Sequence, residues 1–399
     1  MSRAVSRAAA AAAALALGAL GGVGAGAVPA YASSGQCTFP AQDIPGTPWA
    51  LQRVLLPQLH QKATGKGVTV AVIDTGVDAT NPQLAGAVTA GPTLLKDAQG
   101  NALTDPVGHG TMVAGIIAAR AIPSTGFVGI APQARILSIR QNDGQGNGTQ
   151  SDLARAVDYA RTHGAGVINI SQDVSSNGKP VALPESSELG QAVKRAVAAG
   201  IVVVASAGNE GLPLPTYPAS FPGVLGVGAS DRNDERAESF SESGTSVGVA
   251  APGVDIVSTV PKRGQCVDSG TSFAAPYVAG VAALLKQMYP HWTPAQIIAR
   301  IEQTAQRTDP GRNDQIGWGV VDPVAAVSDT SAPEDAPTPT PQGPRAAAPV
   351  KPRPLAPGET QADRDRRTAF YAVGIAALLV LLVTGTATVL RDARRRQAL

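Results

Sequence analysis

The chain has 399 residues and a formal net charge of +2 at pH 7. This length can bury one large core. The small charge, without a basic stripe studded with aromatic residues, excludes a typical nucleic-acid-binding protein. Glycine is abundant, with 44 residues, whereas aromatic residues make up only 4%. This composition favours a single α/β domain with close backbone approaches, flanked by segments of biased composition at both ends.

The N-terminal segment has the pattern of an exported protein. Arg3 and Arg7 precede an apolar stretch rich in Ala, Leu, Gly and Val, which ends in the sequence Ala30-Tyr31-Ala32. A positive start, an apolar centre and an Ala-x-Ala end are typical of a secretory signal peptide, so we interpret residues 1–32 in this way. The alternative is an N-terminal membrane helix.

Residues 33–67 precede the first predicted strand and are too few to fold as an independent domain. We expect them to form an ordered extension on the domain that follows. The chain has two cysteines, Cys37 and Cys266, and an exported chain carries them into an oxidising environment, where we expect a disulfide. Free buried thiols are the alternative, and two ligands at this spacing do not predict a metal site.

The region 68–330 alternates short segments rich in β-branched residues with helical patterns, which predicts parallel strands joined by crossover helices. Strands are predicted at 68–73, 135–139, 166–170 and 201–205. Helices are predicted at 110–120, 151–162, 185–198, 272–288 and 293–308. Thr293 is expected to cap the last helix, with Pro294 at its first position. The predicted fold is a doubly wound α/β domain with a mostly parallel sheet and helices on both faces.

The C-terminal part of the chain predicts a membrane anchor. Frequent prolines in residues 331–368 indicate a semi-rigid, extended linker. Residues 369–390 are uncharged and apolar, and as a helix they would cross a ~30 Å hydrocarbon core; a buried core helix is the alternative. Arginines lie on both sides of this segment, so orientation rests on the signal peptide. We expect a single-pass protein of the cell membrane, with its domain extracytoplasmic and residues 391–399 as a basic cytoplasmic tail.

Three segments carry polar residues suited to catalysis. Asp74 ends the first strand in VIDTG, His109 begins a helix in GHGTMVAGIIAA, and Ser272 begins another in GTSFAAPYVAG. Ligands bind at the carboxyl ends of the strands in doubly wound sheets, which is where Asp74 falls. Taken singly, however, a histidine is more often structural and a serine at a helix start is ordinarily a cap.

Together and in this order, these segments resemble the signature segments of the subtilisin-like serine peptidases, over about residues 50–326. The resemblance implies the subtilisin-like three-layer fold. It also implies a catalytic triad in which Ser272 attacks the scissile carbonyl, His109 transfers the proton and Asp74 orients the imidazole. The segment ASAGNEG similarly implies that Asn209 stabilises the oxyanion together with the Ser272 N–H. No cofactor is implied, and no dense acidic loop identifies the calcium site that is common in the broader family.

The same resemblance implies a polypeptide substrate held as an extended strand. The candidate contacts are Gly144 and Gly146 in DGQGNG, and Ser171 after the strand 166–170. Bacterial relatives usually have Ser-Leu-Gly-Gly at this last position, whereas this chain reads Ser-Gln-Asp-Val over 171–174. The added bulk and charge predict an altered S1 pocket and a narrow substrate range.

The order of segments, from signal peptide to basic tail, and the sequence leading into VIDTG resemble the mycosins, which are peptidases associated with type VII secretion in actinobacteria. This resemblance implies the secretion machinery as a partner and exported proteins as substrates. Two other interpretations remain. An aspartic peptidase shares the DTG motif, but it requires two such carboxylates and leaves His109 and Ser272 unexplained. A structural subunit of a membrane complex, with an idle triad, would carry the same sequence.

Overall fold

The computed structural model describes residues 37–96, 99–143, 148–176, 179–338 and 361–396. They belong to two compact units, residues 1–341 and 342–399. The predicted signal peptide and the candidate substrate contacts Gly144 and Gly146 lie outside the described residues.

The described part of the larger unit contains a seven-stranded parallel sheet in the order β2-β3-β1-β4-β7-β8-β9. Two short antiparallel pairs, β5-β6 and β10-β11, lie outside it. The strands are β1 (Thr69–Asp74), β2 (Val88–Thr93), β3 (Arg135–Arg140), β4 (Val167–Ile170), β5 (Ser175–Ser176), β6 (Lys179–Pro180), β7 (Val202–Ser206), β8 (Val224–Ser230), β9 (Val249–Pro252), β10 (Ile256–Thr259) and β11 (Gln265–Asp268).

Helices cover both faces of the sheet, because alternate residues of each central strand point to opposite sides. In β1, Val70 and Val72 join the core that includes helices α3 and α6, whereas Ala71 and Ile73 join the core that includes α4 and α5. The helices of this unit are α1 (Trp49–Gln52), α2 (Leu56–Lys62), α3 (His109–Ala118), α4 (Gln150–Thr162), α5 (Glu188–Ala198), α6 (Thr271–Met288), α7 (Pro294–Thr304) and α8 (Pro323–Ser328). The predicted three-layer α/β fold is therefore confirmed.

Strand β1 lies at the point where the chain changes direction across the sheet. Its neighbours are β3 on one side and β4 on the other, and the chain crosses from β3 to β4 over it. In open α/β sheets such a switch point forms a crevice outside the carboxyl ends of the strands. Asp74, the last residue of β1, therefore lies at the mouth of this crevice.

The four predicted strands and five predicted helices are present, with ends shifted by a few residues. Thr293 caps α7 by accepting a hydrogen bond from Gln296 N, and Pro294 is its first residue. Within the seven-stranded sheet, β2, β8 and β9 were not predicted, and neither were the short strands β5, β6, β10 and β11. Strand β2 contains Gly91 and Pro92, and strand β8 has the sequence VLGVGAS. Glycine and proline are depleted in strands, so the sequence of these two segments does not predict a strand.

The described part of the N-terminal extension is packed on the domain. Cys37 and Cys266 form a disulfide with a Cα–Cα distance of 6.0 Å, and Ala41 N donates to Arg263 O at 3.0 Å. Trp49 Nε1 donates to Val254 O at 3.0 Å. The extension is thus tied to strand β11. This strand ends four residues before Ser272, which lies in the first turn of α6.

The second unit contains one helix, α9 (Gln361–Arg396), in its described residues. A segment of 32 residues within it, Arg364–Arg395, is long and apolar enough to cross a membrane. The helix begins before the apolar segment 369–390, so the end of the predicted linker is helical rather than extended. The reason is local: Pro357 is the last proline of the chain, and the residues after Thr360 favour a helix.

Candidate active site

Asp74 and His109 are in contact at the carboxyl end of β1. His109 Nδ1 lies 2.7 Å from Asp74 Oδ1, and the same oxygen accepts a hydrogen bond from Thr75 N at 2.8 Å. Asp74 is 1% exposed and the His109 side chain is 27% exposed. A buried carboxylate therefore fixes the imidazole through Nδ1, which leaves Nε2 as the nitrogen available to a reacting group.

Gly110 allows helix α3 to approach β1 closely enough for this contact. A Cβ at this position would lie 2.0 Å from Gly76 O and 3.1 Å from Asp74 Cβ. The glycine after His109 is thus required by packing, because any side chain would push the first turn of α3 away from the turn that follows β1.

Three carboxylates act on the His109 ring. Burial is the largest single effect and opposes its protonation, but the charge and hydrogen bond of Asp74 and the charges of Asp105 and Asp268 together outweigh burial. The pKa of His109 is therefore raised to about 9. An imidazolium is stable at this position, and it is the state that a general base reaches when it takes a proton.

Ser272 lies in the first turn of α6, where two hydrogen bonds join it to Ser171. Ser272 Oγ donates to Ser171 O at 3.1 Å, and Ser171 Oγ donates to Ser272 O at 2.8 Å. No hydrogen bond of the described residues joins Ser272 to His109. The next residue, Phe273, has its ring centroid 5.4 Å from that of His109, so the first turn of α6 borders the imidazole. The structure brings Asp74 and His109 together and places Ser272 beside them with its hydroxyl turned to Ser171.

Asn209 presents its amide to the N-terminus of α6. Its Oδ1 accepts hydrogen bonds from Thr271 N at 2.9 Å and from Thr271 Oγ1 at 3.0 Å. A backbone N–H can only donate, so the oxygen must face Thr271 and the NH₂ group points elsewhere. A Cβ on Gly270 would lie 3.6 Å from Asn209 Oδ1 and 3.7 Å from both Asn209 Nδ2 and Ser272 N. The Asn209 amide and the N–H of Ser272 therefore both lie close to Gly270.

A cavity of about 580 Å³ opens beside His109. This volume is typical of a ligand site. Its lining includes the residues after β4 and residues between β3 and α4, and Gln172 is hydrogen-bonded to Gln141 and Asn142. The lining residues of these two segments are Ser171, Gln172, Asp173, Val174, Gln141, Asn142, Gly148, Thr149, Gln150 and Leu153. Asp173 Oδ2 is buried without a hydrogen-bond partner among the described residues. Burial, and then the charge of Glu210, raise the pKa of the Asp173 carboxyl.

Sequence reasoning missed Asp105, which lies under the first turn of α3 and is 4% exposed. It accepts hydrogen bonds from Thr75 Oγ1 at 2.8 Å and from Thr111 Oγ1 at 2.7 Å. The available signal was a carboxylate just before a helix start, where free N–H groups attract negative charge.

Groups of three or more His, Cys, Asp or Glu side chains that could hold a metal ion do not occur within the described ranges.

Comparison with known proteins gives the class of this chain. The model of the subtilase family, peptidase family S8, matches residues 65–319. The chain therefore belongs to the subtilase family, and it is a subtilisin-like serine endopeptidase. The aspartic-peptidase interpretation of DTG is thereby excluded.

Within this family, the chain is similar to the mycosins. Mycosin-1 of Mycobacterium tuberculosis (strain ATCC 25618 / H37Rv) is 37% identical, over 90% of this chain and 88% of its own length. The crystal structure of MycP1 from Mycobacterium smegmatis is 35% identical, with a TM-score of 0.64 over 80% of this chain and 92% of that one. Subtilisin Savinase of Lederbergia lenta is 39% identical over 70% of this chain and 98% of its own length.

Proposed function

We propose that this chain is a membrane-anchored, extracytoplasmic endopeptidase in which Asp74, His109 and Ser272 form the catalytic triad. The observation that carries the proposal is the buried carboxylate–imidazole contact at the switch point of the sheet, bordered by the helix start that presents Ser272. A helix N-terminus offers N–H groups and a positive partial charge, which suit a site where negative charge develops.

In the proposed reaction, Ser272 Oγ first turns from Ser171 O towards His109 Nε2. A rotation about χ1 between staggered positions is enough to redirect a serine hydroxyl. Oγ then attacks the scissile carbonyl while His109 takes its proton, and Asp74 stabilises the imidazolium. The proton passes to the leaving amine, an acyl-enzyme remains on Ser272, and water activated by His109 releases the acid product.

Two donors are proposed to stabilise the tetrahedral intermediate, Asn209 Nδ2 and Ser272 N. Both lie beside Gly270, and the hydrogen bond from Thr271 N to Asn209 Oδ1 supports this role by fixing the orientation of the amide. Donors held in place before the reaction do not need to reorganise as charge develops on the carbonyl oxygen.

The substrate is a polypeptide that lies in the 580 Å³ cavity as an extended strand. We propose Ser171, Gly144 and Gly146 as its backbone contacts. Asp173 and its neighbours replace the glycines that open the S1 pocket of relatives, so we propose a narrow substrate range rather than broad digestion. Rapid cleavage of casein and of many unrelated peptides would contradict this part of the proposal.

The proposed organisation is a signal peptide (1–32), an N-terminal extension (33–67), the peptidase domain (68–330), a linker (331–368), a transmembrane helix (369–390) and a cytoplasmic tail (391–399). The helix segment Arg364–Arg395, which is long and apolar enough to cross a membrane, supports the anchor. Hydrogen bonds from Arg300 to Ser331 O at 2.8 Å and from Thr338 N to Gln303 Oε1 at 2.8 Å support a folded domain that continues a few residues beyond 330.

We also propose that the chain acts with a type VII secretion system on exported proteins. The support is similarity: a MycP3 protease from the type VII (ESX-3) secretion system is 35% identical over 73% of this chain and 91% of its own, with a TM-score of 0.63. A test is to delete the gene and compare the exported proteins by mass spectrometry. New, longer forms that disappear after complementation with the wild type, but not with Ser272→Ala, would support the proposal.

The peptidase mechanism is tested by labelling the purified full-length chain with an active-site fluorophosphonate. We expect one label on Ser272, none on the Ser272→Ala variant, and cleavage of a peptide library by the wild type alone. Absence of label on folded wild-type protein would contradict the catalytic role of Ser272.

A second candidate function is a structural subunit with an idle triad. The observation that favours it is the Ser272 hydroxyl, which donates to Ser171 O instead of to His109. In that case the fluorophosphonate would not react, and Ser272→Ala would complement a deletion strain as well as the wild type does.

A further inference from the structure

We propose that Asp105 is a positioning residue for the reaction. It locks His109 against Asp74, and its negative charge strengthens His109 as a base. This inference rests on the proposed role of His109 and extends it to a carboxylate outside the three motif segments.

Asp105 is built into a dense set of hydrogen bonds. Its Oδ1 accepts from Thr75 Oγ1 at 2.8 Å, from Gly108 N at 2.8 Å and from Val107 N at 3.2 Å. Its Oδ2 accepts from Thr111 N at 2.8 Å and from Thr111 Oγ1 at 2.7 Å. Two oxygens thus satisfy the N–H groups on both sides of His109, at the first turn of α3.

These contacts connect the start of α3 to the end of β1 through Thr75. Thr75 Oγ1 donates to Asp105 and accepts a hydrogen bond from Gly110 N at 3.0 Å, while Thr75 N donates to Asp74 Oδ1. The residues before and after His109 are therefore held from the same strand end that carries Asp74. The distance between Asp74 Oδ1 and His109 Nδ1 depends on this bridge.

The hydrogen bonds also identify the charge state of Asp105. Burial raises the pKa of its carboxyl, and the contacts with Thr111, Gly108 and Thr75 offset part of this rise. Three of its partners, Val107 N, Gly108 N and Thr111 N, are backbone N–H groups that can only donate, and they act on both carboxylate oxygens. An ionised Asp105 fits this arrangement, and the positive end of α3 stabilises it further.

The charge acts on His109 together with two others. The carboxylates that raise the His109 pKa are Asp74 on β1, Asp105 before α3 and Asp268 on β11. Of these, Asp105 alone also bonds to the backbone around His109, since Asp268 Oδ1 accepts from Ser269 N. Neutralising Asp105 should therefore change both the basicity and the position of the imidazole, whereas neutralising Asp268 should change basicity alone.

The test compares Asp105→Asn with Asp268→Asn and Thr75→Val in the full-length chain. The His109 titration is followed by NMR of ¹³C-labelled histidine in a Ser272→Ala background, which is practical because the chain has four histidines. We expect the His109 pKa to fall in Asp105→Asn and Asp268→Asn, which each lose a negative charge, and in Thr75→Val, which loosens the contact with Asp74. With Ser272 present, we expect kcat at the alkaline plateau to fall roughly ten- to hundredfold in Asp105→Asn and Thr75→Val, with little change in Asp268→Asn.

A purely structural Asp105 would give a different pattern. Asp105→Asn would then lower the unfolding midpoint while leaving the His109 pKa and the plateau kcat as in the parent, and this result would overturn the proposal. If Asp105→Asn does not fold, an unchanged plateau kcat in folded Thr75→Val overturns it instead. The NMR titration does not depend on turnover, so an inactive wild type would count against the proposed function and would leave the test of the His109 pKa intact.

Discussion

A buried carboxylate beneath the Asn209 loop makes the stability of this protein depend on pH. Glu242 is fully buried, and its Oε2 accepts a hydrogen bond from Leu212 N. Its own N–H donates to Gly208 O at 3.3 Å. Burial, and then the neighbouring Glu210, raise the pKa of Glu242 from 4.5 to about 7. Between about pH 4.5 and pH 7, Glu242 is therefore protonated in the folded chain but ionised in the unfolded chain.

The sign and size of the effect follow from linkage. Because the folded pKa lies above the unfolded one, the stabilisation is fully present below about pH 4.5 and is lost as the pH rises through about 7. At about 1.4 kcal/mol per pH unit, the loss is ~3 kcal/mol, and less if Glu210 shares the proton. Glu242→Gln keeps an oxygen for Leu212 N and cannot ionise. We expect it to be near the parent in stability at pH 5 and more stable by ~2–3 kcal/mol at pH 8.

The assay is guanidinium unfolding at pH 5 and pH 8 in the Ser272→Ala background, which prevents self-digestion. Glu302→Gln on α7 is the matched control, since burial also raises the pKa of Glu302 to about 7. It should reproduce the pH-dependent gain in stability. With Ser272 present, only Glu242→Gln should also change kcat, through the loop that carries Asn209. The prediction would be wrong if the free energies of unfolding of Glu242→Gln and the parent differed by the same amount at pH 5 and at pH 8.

Three further predictions concern the site and its N-terminal extension. Asn209→Ala should lower kcat for a peptide substrate by about 10²- to 10³-fold with little change in KM, because one oxyanion donor is lost; an unchanged kcat would remove Asn209 from the site. Cys37→Ser should cost ~2–5 kcal/mol in guanidinium unfolding, since the bond closes a separation of 229 residues; addition of reductant should affect the parent but not the variant. Asp173→Asn should reduce the preference for lysine over norleucine near the cleaved bond, because the substitution removes a carboxylate from the cavity lining. The measurement is kcat/KM for two peptides that differ only in this residue. An unchanged ratio of the two kcat/KM values would show that Asp173 does not select charge.

The sequence by itself determined the central strands, the main helices and the family. The β-branched runs that became β1, β3, β4 and β7 owe their form to residues close in the chain, as does the Thr293–Pro294 start of α7. The three motif segments and the apolar segment of α9 are also local features. Each depends on composition, period or spacing, which a linear reading measures directly.

Only the tertiary structure decided how distant residues meet. Strands β2 and β8 contain glycine or proline and form because their neighbours in the sheet pair with them. The bridge from Asp105 through Thr75 to the start of α3 and the turn of the Ser272 hydroxyl to Ser171 likewise join segments that are separate in the chain. Hydrogen bonds of this kind depend on the direction and burial of side chains, and these are set by the packing of whole elements rather than by the residues beside them.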